Sequence, residues 1–529
     1  MGLLKTSGFN SPLYLYRLIV SQANRAIKAK KERIFKKMSD IKFKDKAVSA
    51  IENASDTFKE LADSIWEYAE LSLKEYKSAE LYCKVLAKLG FEVETGICGI
   101  PTAFLGKYGQ GRPYIAVLGE FDALSGLSQV GGSIEKKPLE EGGTGHGCGH
   151  NLLGAGALAA AYGIKEYLRA RAAEGGKDVA GTVFFFGTPG EEGGAGKAFM
   201  ARDGLWKSMD AALTWHPGDS NQVVTGTCNS TVQVLYKFKG IAAHAAGNPE
   251  RGRSALDAVE LMNIGVQYLR EHMKDGARIH YAMIDGGGYS PNVVQPTASV
   301  LYMIRSKLVK DVLELEKRVD KIADGAALMT ETEYEKIFID GCANTVPNHT
   351  LEALLFKNME ALGAPKYTKE ETEFAAALRK TYVHEGDIGD ALPTIAANND
   401  EKLRAEVAKL SDNGKKPLND FISPLYTGYA FSAGSTDVGD VSWQTPTAQI
   451  NCVTFPSGCP GHSWQYVSCG KTSIAYKGML YAAKVLAGTA IDLFENPSTL
   501  STAKEEFGVA AKGGYVCPIP DGETAKAIL

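Results

Sequence analysis

The spacing of apolar residues changes along the first part of the chain from a helical period to short continuous runs. Between about residues 45 and 89, apolar positions recur mostly at steps of three and four, which predicts helices. Short apolar runs bounded by turn residues follow at residues 114–120, 182–187 and 211–215. An Ala- and Leu-rich segment, residues 152–173, separates the first two runs and predicts a long helix.

Buried strands that alternate with helices are typical of an α/β sheet covered on both faces. In such sheets, ligands bind beyond the carboxyl ends of the strands. Each of the three apolar runs is followed by polar residues of types that bind metals or transfer protons. We therefore expect the functional site at this edge of the sheet.

A second unit with a different pattern begins near residue 227. Its predicted strands and helices follow the order β-α-β-β-α-β, with strands at residues 232–239, 278–284, 299–306 and 334–340 and helices at residues 253–274 and 309–329. A further exposed helix and loop is predicted within residues 398–420. We therefore expect a mixed α/β fold with four segments: a basic extension (1–44), a first catalytic part (45–226), an inserted domain (227–345) and a second catalytic part (346–529).

Length and charge narrow the class of protein. A chain of 529 residues fits two or three domains, and a net charge of −4 offers no overall attraction to nucleic acid or an anionic membrane. No run reaches the roughly 18 apolar residues that span a bilayer.

Nine cysteines without short paired spacings favour a reducing cytoplasm. The basic residues near the start predict a solvated extension, with a membrane-surface or partner helix as the alternative.

Two clusters carry potential metal ligands, one just before the predicted long helix and one directly after a predicted strand. Cys148 and His150 stand two residues apart in a Gly-rich run, and thiolate and imidazole are good ligands for zinc-like ions. Glu191 and Glu192 form an adjacent acidic pair, which is unfavourable unless a positive charge compensates it. A simple tight turn and a solvated acidic loop are the alternative interpretations.

Two further histidines follow the same logic. His216 ends a predicted strand, and His462 lies in a Gly-His-Ser turn near the end of the chain. A single His is more often structural, but four of the nine histidines fall in these clusters. We predict Cys148, His150, Glu192, His216 and His462 as ligands of two divalent ions, one ligand bridging, with Glu191 as the proton shuttle.

These residues resemble the motifs of a known metallopeptidase family. Residues 119–124 (Gly-Glu-Phe-Asp-Ala-Leu), 145–154 and 189–192 are similar to those of the family that includes aminoacylases, glutamate carboxypeptidase and indoleacetyl-amino-acid amidohydrolases. The resemblance covers roughly residues 45–500. It is strongest to the amidohydrolase branch of the B-type subunits of p-aminobenzoyl-glutamate hydrolases.

The resemblance implies a metal-dependent amidohydrolase with two Zn or Mn ions and an inserted lid that forms a homodimer. It implies cleavage of a small N-acyl amino acid, with an aromatic acyl-glutamate as the best candidate, and a possible A-type partner subunit. In this branch Cys148 replaces a bridging aspartate. The chain departs from relatives at Asn151, where many carry Asp, and at Glu120, where others carry a metal-binding His.

Four more residues match functional positions of the family. Asp122 corresponds to an aspartate that orients a metal ligand. In the predicted lid, His244 is similar to a histidine that reaches an active site, often the partner subunit's, and stabilises the oxyanion. Asn292 and Arg305 are similar to positions that hold the substrate carboxylate. The alternative interpretations are an ordinary strand-end Asp for Asp122, a buried His for His244 and a surface ion pair for Arg305. The Ser435–Asp437 turn is expected to support the pocket.

Three other functions share some of these features. A cysteine hydrolase would use Cys148 with His146 or His150, but it leaves both glutamates and the other two histidines unexplained. A non-catalytic metal-binding scaffold would not require Glu191. A dipeptidase or carboxypeptidase on small peptides would share the chemistry and differ in the leaving group.

Overall fold

The computed structural model describes residues 44–175, 180–383 and 400–527. Its strands are β1 (Glu92–Thr95), β2 (Phe104–Gln110), β3 (Tyr114–Gly119), β4 (Gly181–Gly187), β5 (Ala211–Gly218), β6 (Gln222–Val224), β7 (Thr227–Cys228), β8 (Ser230–Lys239), β9 (Arg278–Asp285), β10 (Thr297–Ser306), β11 (Glu333–Cys342), β12 (Phe431–Ser432) and β13 (Thr447–Val453). Its helices are α1 (Lys44–Asn53), α2 (Ser55–Tyr68), α3 (Tyr76–Lys88), α4 (His150–Gly175), α5 (Gly196–Arg202), α6 (Ala255–Leu269), α7 (Val309–Thr330), α8 (His349–Leu362), α9 (Lys369–Arg379), α10 (Glu401–Leu410), α11 (Val438–Ser442), α12 (Trp464–Cys469), α13 (Ser473–Glu495) and α14 (Pro497–Ala510).

A mixed seven-stranded sheet, here called the large sheet, has the strand order β1-β2-β4-β3-β5-β13-β6. Its four central strands, β4, β3, β5 and β13, are parallel, and the strands outside them pair antiparallel. The central strands consist almost wholly of buried residues, which explains their continuous apolar runs. The predicted α/β fold class is confirmed.

The 26-residue helix α4 lies against the large sheet and carries two of the predicted ligands at its start. Its small residues allow close approach: a Cβ atom on Gly156 would lie within 2.8 Å of the Trp215 ring. Helices α1 and α13 also pack against α4, so the helix is buried along most of its length. This packing fixes the position of His150, the first residue of α4.

A second, four-stranded antiparallel sheet, here called the small sheet, has the order β11-β8-β10-β9. Alternate residues of β8, such as Val232, Val234 and Tyr236, are fully buried in one core with α6 and α7. The residues between them therefore lie on the other face, away from these helices. This strand and helix order is the β-α-β-β-α-β order that the sequence predicts.

Some predicted elements differ in length. The helix predicted over residues 253–274 ends at Leu269 and continues as a short 3₁₀ turn, Arg270–His272. The helix predicted within residues 398–420 is α10. The basic extension lies outside the described residues, apart from Lys44, which pairs with buried Asp492 at 2.8 Å. The predicted domain boundaries stay a prediction.

Among the described residues, no helix combines the length and the apolar character that crossing a bilayer requires.

Candidate active site

Residues that follow the parallel strands of the large sheet meet at one edge. Parallel strands present their carboxyl ends to the same side, so loops that are distant in sequence become neighbours there. The side chains assembled at this edge come from the ends of β3, β4 and β5, from the loop after β13 and from the start of α4: Glu120, Asp122, Cys148, His150, Glu191, Glu192, His216 and His462.

The five predicted metal ligands lie within a few ångströms of one another. Cys148 Sγ lies 3.3 Å from His216 Nε2, and His462 Nε2 lies 3.5 Å from Glu192 Oε2. His150 Nε2 lies 4.0 Å from Glu192 Oε1. Their donor atoms form two groups of three, each within 4.8 Å: Cys148 with His150 and His216, and Cys148 with Glu192 and His462. A third group of the same size joins His150 to Glu120 and Glu191. Cys148 belongs to the first two groups, so its sulfur could bridge two ions.

The chemistry of this donor set fits divalent metal ions. His150 Nε2 and Glu192 Oε1 are buried and make no well-aligned hydrogen bond to any residue that the structure describes, although Glu120 Oε2 lies 3.2 Å from the His150 nitrogen. A buried polar atom without a partner is costly, and a cation would satisfy both atoms at once. Thiolate, imidazole and carboxylate suit zinc-like ions. Whether each residue binds a metal stays a prediction.

Asp122 connects two of these candidate ligands. Its Oδ1 accepts a hydrogen bond from His150 Nδ1 at 2.9 Å, and its Oδ2 accepts from the backbone N–H of Glu192 at 2.9 Å and from Ser72 Oγ at 2.7 Å. Burial alone would raise the pKa of Asp122, but these hydrogen bonds and the charge of His150 lower that pKa to about 2. A permanently ionised Asp122 leaves Nε2 of His150 directed away from it, toward the other donors.

Glu191 lies beside this cluster on a loop with a buried anchor. Glu75 is fully buried and accepts a hydrogen bond from the backbone N–H of Gly190 at 2.8 Å. Gly190 has a φ of 71°, a conformation that favours glycine. Burial, followed by the negative charges of Glu120 and Glu192, raises the pKa of Glu191 well above its usual range. The loop thus places a carboxylate with a high proton affinity next to the candidate ligands.

A buried network under the cluster was not predicted from the sequence. Lys197 is fully buried, and its Nζ lies 2.9 Å from Glu120 Oε1 and also pairs with Asp437 Oδ1. Burial alone would lower the pKa of Lys197, but Asp437 and Glu120 raise that pKa above its usual range. Glu120 Oε2 in turn lies 3.2 Å from His150 Nε2. A charged residue inside the otherwise apolar run of α5 is the one sequence signal that could have indicated this network.

A cavity of about 430 Å³ separates the cluster from the small sheet. One wall carries Glu191 and the candidate ligands other than His150, whose side chain is fully buried behind them. The opposite wall is formed by side chains of β8, β10 and β11 together with the turn 434–437, namely Thr231, Gln233, Met303, Arg305, Asp340, Cys342, Gly434, Ser435, Thr436 and Asp437. Arg305 Nη1 donates a hydrogen bond to Ser435 Oγ at 2.9 Å, which fixes one side of its guanidinium group.

Two predicted site residues lie elsewhere in this chain. His244 is exposed, and its Nδ1 accepts hydrogen bonds from the backbone N–H groups of Ala246 and Gly247 at 3.2 and 3.0 Å. Asn292 is also exposed, and its backbone carbonyl accepts from the N–H of Ala245 at 2.9 Å. Neither residue lines the cavity. Within one chain, the structure therefore does not bring His244 and Asn292 to Glu191.

Comparison with known proteins gives a consistent result. The family profile described as Peptidase family M20/M25/M40 matches residues 116–441. The B-type subunit of p-aminobenzoyl-glutamate hydrolase from Escherichia coli is 44% identical over 90% of this chain and 97% of its own length. The chain belongs to the M20/M25/M40 peptidase family.

More distant relatives are consistent with this assignment. A mouse Xaa-Arg dipeptidase is 26% identical over 88% of this chain and 92% of its own length. A solved Bacillus subtilis protein, described as a dinuclear metal-binding peptidase of the M20 family, covers 84% of this chain and 99% of its own with a TM-score of 0.50 and 16% identity. That likeness concerns the fold. The family resemblance predicted from the motifs is confirmed, and the chain is a hydrolase that acts on amide bonds.

Proposed function

We propose that this protein hydrolyses the amide bond of a small N-acyl amino acid, and that the substrate is an aromatic acyl-glutamate such as p-aminobenzoyl-glutamate. The observation that carries the proposal is the cavity in which Glu191 and the candidate metal ligands face Arg305. A scissile amide at the cluster would leave the carboxylate of the amino acid within the reach of that arginine. The 44% identity to the B-type subunit of p-aminobenzoyl-glutamate hydrolase supports the choice of substrate.

Two divalent ions, zinc or manganese, are part of the proposal. Cys148, His150, Glu192, His216 and His462 would hold them, with the Cys148 sulfur between the two groups of donors. When bound, such ions supply Lewis-acid polarisation of the carbonyl and make a water molecule more acidic. Asp122 keeps the His150 ring in one orientation through its hydrogen bond to Nδ1, so that Nε2 is available to an ion.

Glu191 is the proposed acid–base residue. Its side chain reaches the cavity while the other carboxylates around it are engaged: Glu120 pairs with Lys197, and Asp122 accepts three hydrogen bonds. In our proposal Glu191 accepts the proton of the attacking water on its carboxylate and delivers that proton to the leaving nitrogen. Burial, followed by the negative charges of its neighbours, raises the pKa of Glu191, which suits a group that must hold a proton between the two steps.

Arg305 is the proposed partner of the substrate carboxylate. A guanidinium group can hold a carboxylate through two parallel hydrogen bonds, and Ser435 already orients this one from the side. His244 and Asn292 would complete the site from a second subunit, because both are exposed and outside the cavity of their own chain.

A homodimer through the small sheet follows from this role of His244 and Asn292. Strand β9 is at the edge of the small sheet, and Ile264 of α6 lines a surface pocket together with Tyr281 of β9. Five large apolar side chains are exposed there: Ile264, Tyr268, Tyr281, Met283 and Ile284. An exposed strand edge with apolar neighbours is a surface that a second copy can cover. Light scattering should give a dimer mass, and Tyr268→Glu should lower that mass toward one chain; a monomeric parent protein would contradict the proposal.

Assembly with an A-type subunit is a second possibility, because the name of the Escherichia coli relative identifies it as one subunit of an enzyme. Adding a purified A-type subunit to this protein should then raise its turnover. A cytoplasmic location is also part of the proposal, and it rests on the nine cysteines, all of which are free.

The decisive experiment is a turnover assay on metal-stripped protein to which zinc or manganese is returned. The substrate panel holds p-aminobenzoyl-glutamate, other N-acyl amino acids and dipeptides; the likeness to an Xaa-Arg dipeptidase makes peptides the second candidate class. We expect metal-dependent release of glutamate. Activity that survives a chelator would favour a cysteine hydrolase instead, since Cys148 already contacts His216 at 3.3 Å.

Glu191→Gln separates an enzyme from a metal-binding scaffold. The variant should keep its metal content and lose about 100-fold or more of its turnover, since it cannot accept a proton. Exposed Glu141→Gln is the matched control and should behave like the parent protein. A Glu191→Gln variant with full activity would overturn the proposed mechanism.

A further inference from the structure

The cavity wall opposite the metal-ligand cluster contains a buried acid that the proposed chemistry does not use. Asp340 lies on β11, is only 4% exposed, and lines the cavity together with Gln233 and Arg305. Its Oδ2 accepts a hydrogen bond from Gln233 Nε2 at 2.9 Å. Burying a carboxylate costs free energy unless a binding partner compensates it. The position of Asp340 beside the substrate cavity therefore indicates a role in binding a ligand group there.

A backbone irregularity brings Asp340 to this wall. On β11, Phe338 pairs with Val234 of β8, whereas Asp340 pairs with Gln233, so Ile339 is an extra residue that forms a bulge. In a regular ladder Ile339 would lie opposite Gln233, and Asp340 would fall on the face that packs against the helices. The bulge exchanges these two positions and directs a carboxylate, rather than an isoleucine, to the cavity face.

The small sheet thereby presents an ordered block of side chains to the cavity. One row across the strands holds Cys342, Thr231 and Arg305, and the next row holds Asp340, Gln233 and Met303. All six residues line the cavity. Arg305 and Asp340 occupy opposite corners of this block, two strands and two residues apart, which corresponds to about 12 Å between their Cα atoms.

The two corners offer opposite chemistry. The Arg305 corner is rich in donors and suits a carboxylate. The Asp340 corner is rich in acceptors above about pH 7, where the carboxylate is ionised and has about four lone-pair sites. Among the described residues, Gln233 donates a hydrogen bond to one of its oxygens and leaves the other lone pairs available. A substrate that spans the cavity with its carboxylate at Arg305 would therefore place the far end of its acyl group near a group that accepts hydrogen bonds.

We propose that Asp340, held by Gln233, forms a specificity site for an N–H donor at the far end of the acyl group, such as the amine of an aromatic amino-acyl substrate. This inference rests on the proposed function, since it takes Arg305 as the site of the carboxylate. Asp340 would contact the substrate, and Gln233 would act as a positioning residue.

The test compares ligands that differ only at that amine. Binding is measured by calorimetry at about pH 8, above the pKa of Asp340, on the full-length, metal-loaded Glu191→Gln variant. The ligands are 4-aminobenzoyl-glutamate, benzoyl-glutamate and 4-dimethylaminobenzoyl-glutamate. All three ligands share the amide N–H of the scissile bond, but only the first has N–H donors at the para position of the ring. We expect the amine to bind about tenfold or more tightly than either of the others, the range of one hydrogen bond to a charged group. Equal binding of the amino and dimethylamino ligands would overturn the inference. This comparison needs no substitution of Asp340, so a variant that fails to fold cannot affect it.

A second comparison uses Asp340→Asn, which keeps the shape of the side chain and turns one acceptor into a donor. The preference for the amine should fall to nearly nothing in this variant. Glu335→Gln is the matched control: Glu335 is an exposed acid on the same strand, outside the cavity, and the preference should survive its substitution. A preference that persists in Asp340→Asn would contradict the assignment.

Turnover of the same ligands by the metal-loaded parent protein distinguishes the two proposals. Amine-dependent binding without cleavage would support the specificity site and count against the proposed function. Cleavage of all three ligands with equal kcat/KM would overturn the specificity site and leave the amidohydrolase activity in place.

Discussion

His150 Nδ1 and Asp122 Oδ1 are 2.9 Å apart, and both side chains are fully buried. The other oxygen of the same carboxylate accepts a hydrogen bond from the backbone N–H of Glu192 at 2.9 Å. One aspartate thus sets the orientation of an imidazole and the position of the backbone that carries a carboxylate. The imidazole and the carboxylate belong to two different segments of the chain, so Asp122 connects the two halves of the proposed metal site.

Replacing Asp122 with Ala should lower the affinity for divalent metal by about 10- to 100-fold, the usual effect of removing a residue that orients a ligand. The His150 ring would lose its fixed orientation, and the loop before Glu192 would lose an anchor. Competition with a coloured chelator measures the affinity directly. Ser72→Ala removes one hydrogen bond to the same carboxylate and should have a smaller effect. Unchanged metal affinity in Asp122→Ala would exclude the assigned role.

Arg305→Lys should impair binding of the substrate although the positive charge stays. Lysine cannot form the two parallel hydrogen bonds that a guanidinium group offers to a carboxylate. We expect kcat/KM for acyl-glutamate substrates to fall by about 10- to 100-fold, mainly through KM. Arg278→Lys is a suitable control, because Arg278 pairs with Arg305 across the strands but is exposed and outside the cavity. If the equivalent carboxamide substrate loses as much as the carboxylate, Arg305 does not bind the carboxylate.

The sequence predicted the fold and most of the cluster for a physical reason. Cys148, Glu191 and His216 follow or begin elements whose apolar pattern is strong, and parallel strands necessarily end at the same edge. The pattern of apolar residues therefore places the loops, and the loops contain few residue types that bind metals. No pattern of similar strength in the sequence identifies which face of the small sheet lines the cavity.

Two residues show why the rest of the site cannot be predicted from the sequence. Lys197 lies in a short helix, where a lysine is ordinarily solvated, and only the tertiary approach of Asp437 and Glu120 makes it a buried ion pair. Asp340 follows an isoleucine in a strand, and a regular two-residue alternation would place it on the helix-facing side. The bulge that redirects it depends on pairing with β8 and leaves no signal in the local sequence.

Asp340→Asn should stabilise the protein at neutral pH. Burial, followed by the charge of Asp437, raises the pKa of Asp340 to about 7, above the usual value near 4 of an unfolded chain. The folded state therefore holds this proton more tightly than the unfolded state, so its contribution to stability is complete below about pH 4 and is lost as the pH rises to about 7. Asparagine needs no proton, and we expect it to raise the free energy of unfolding by about 4 kcal/mol at pH 7 and above.

Urea unfolding of the parent protein and of Asp340→Asn at several pH values checks this expectation. A chelator is present throughout, so that metal binding does not contribute to the comparison. The difference between the two proteins should shrink as the pH falls from 7 to 4 and vanish below that. A difference that does not depend on pH would mean that Asp340 carries no unusual proton, whereas a variant less stable at every pH would assign Asp340 a structural role.

The exposed position of His244 leads to the last prediction. His244→Ala should lose most of its turnover, although His244 does not line the cavity of its own chain. Glu191→Gln should be inactive for a different reason, since it lacks the acid–base residue. If each site combines Glu191 of one protomer with a His244 contributed by the other, the two inactive proteins should restore activity when their protomers exchange.

The amount restored follows from the symmetry of the dimer. In an equal mixture half of the dimers are mixed, and each mixed dimer has one complete site, so about a quarter of the parent activity should return. Mixing Glu191→Gln with Asp122→Ala provides the control, because both changes affect the cluster of one protomer, and the mixture should show no more activity than the average of the two separate proteins. Failure of the first mixture to recover activity, under conditions in which protomer exchange is demonstrated, would show that His244 does not act across the interface.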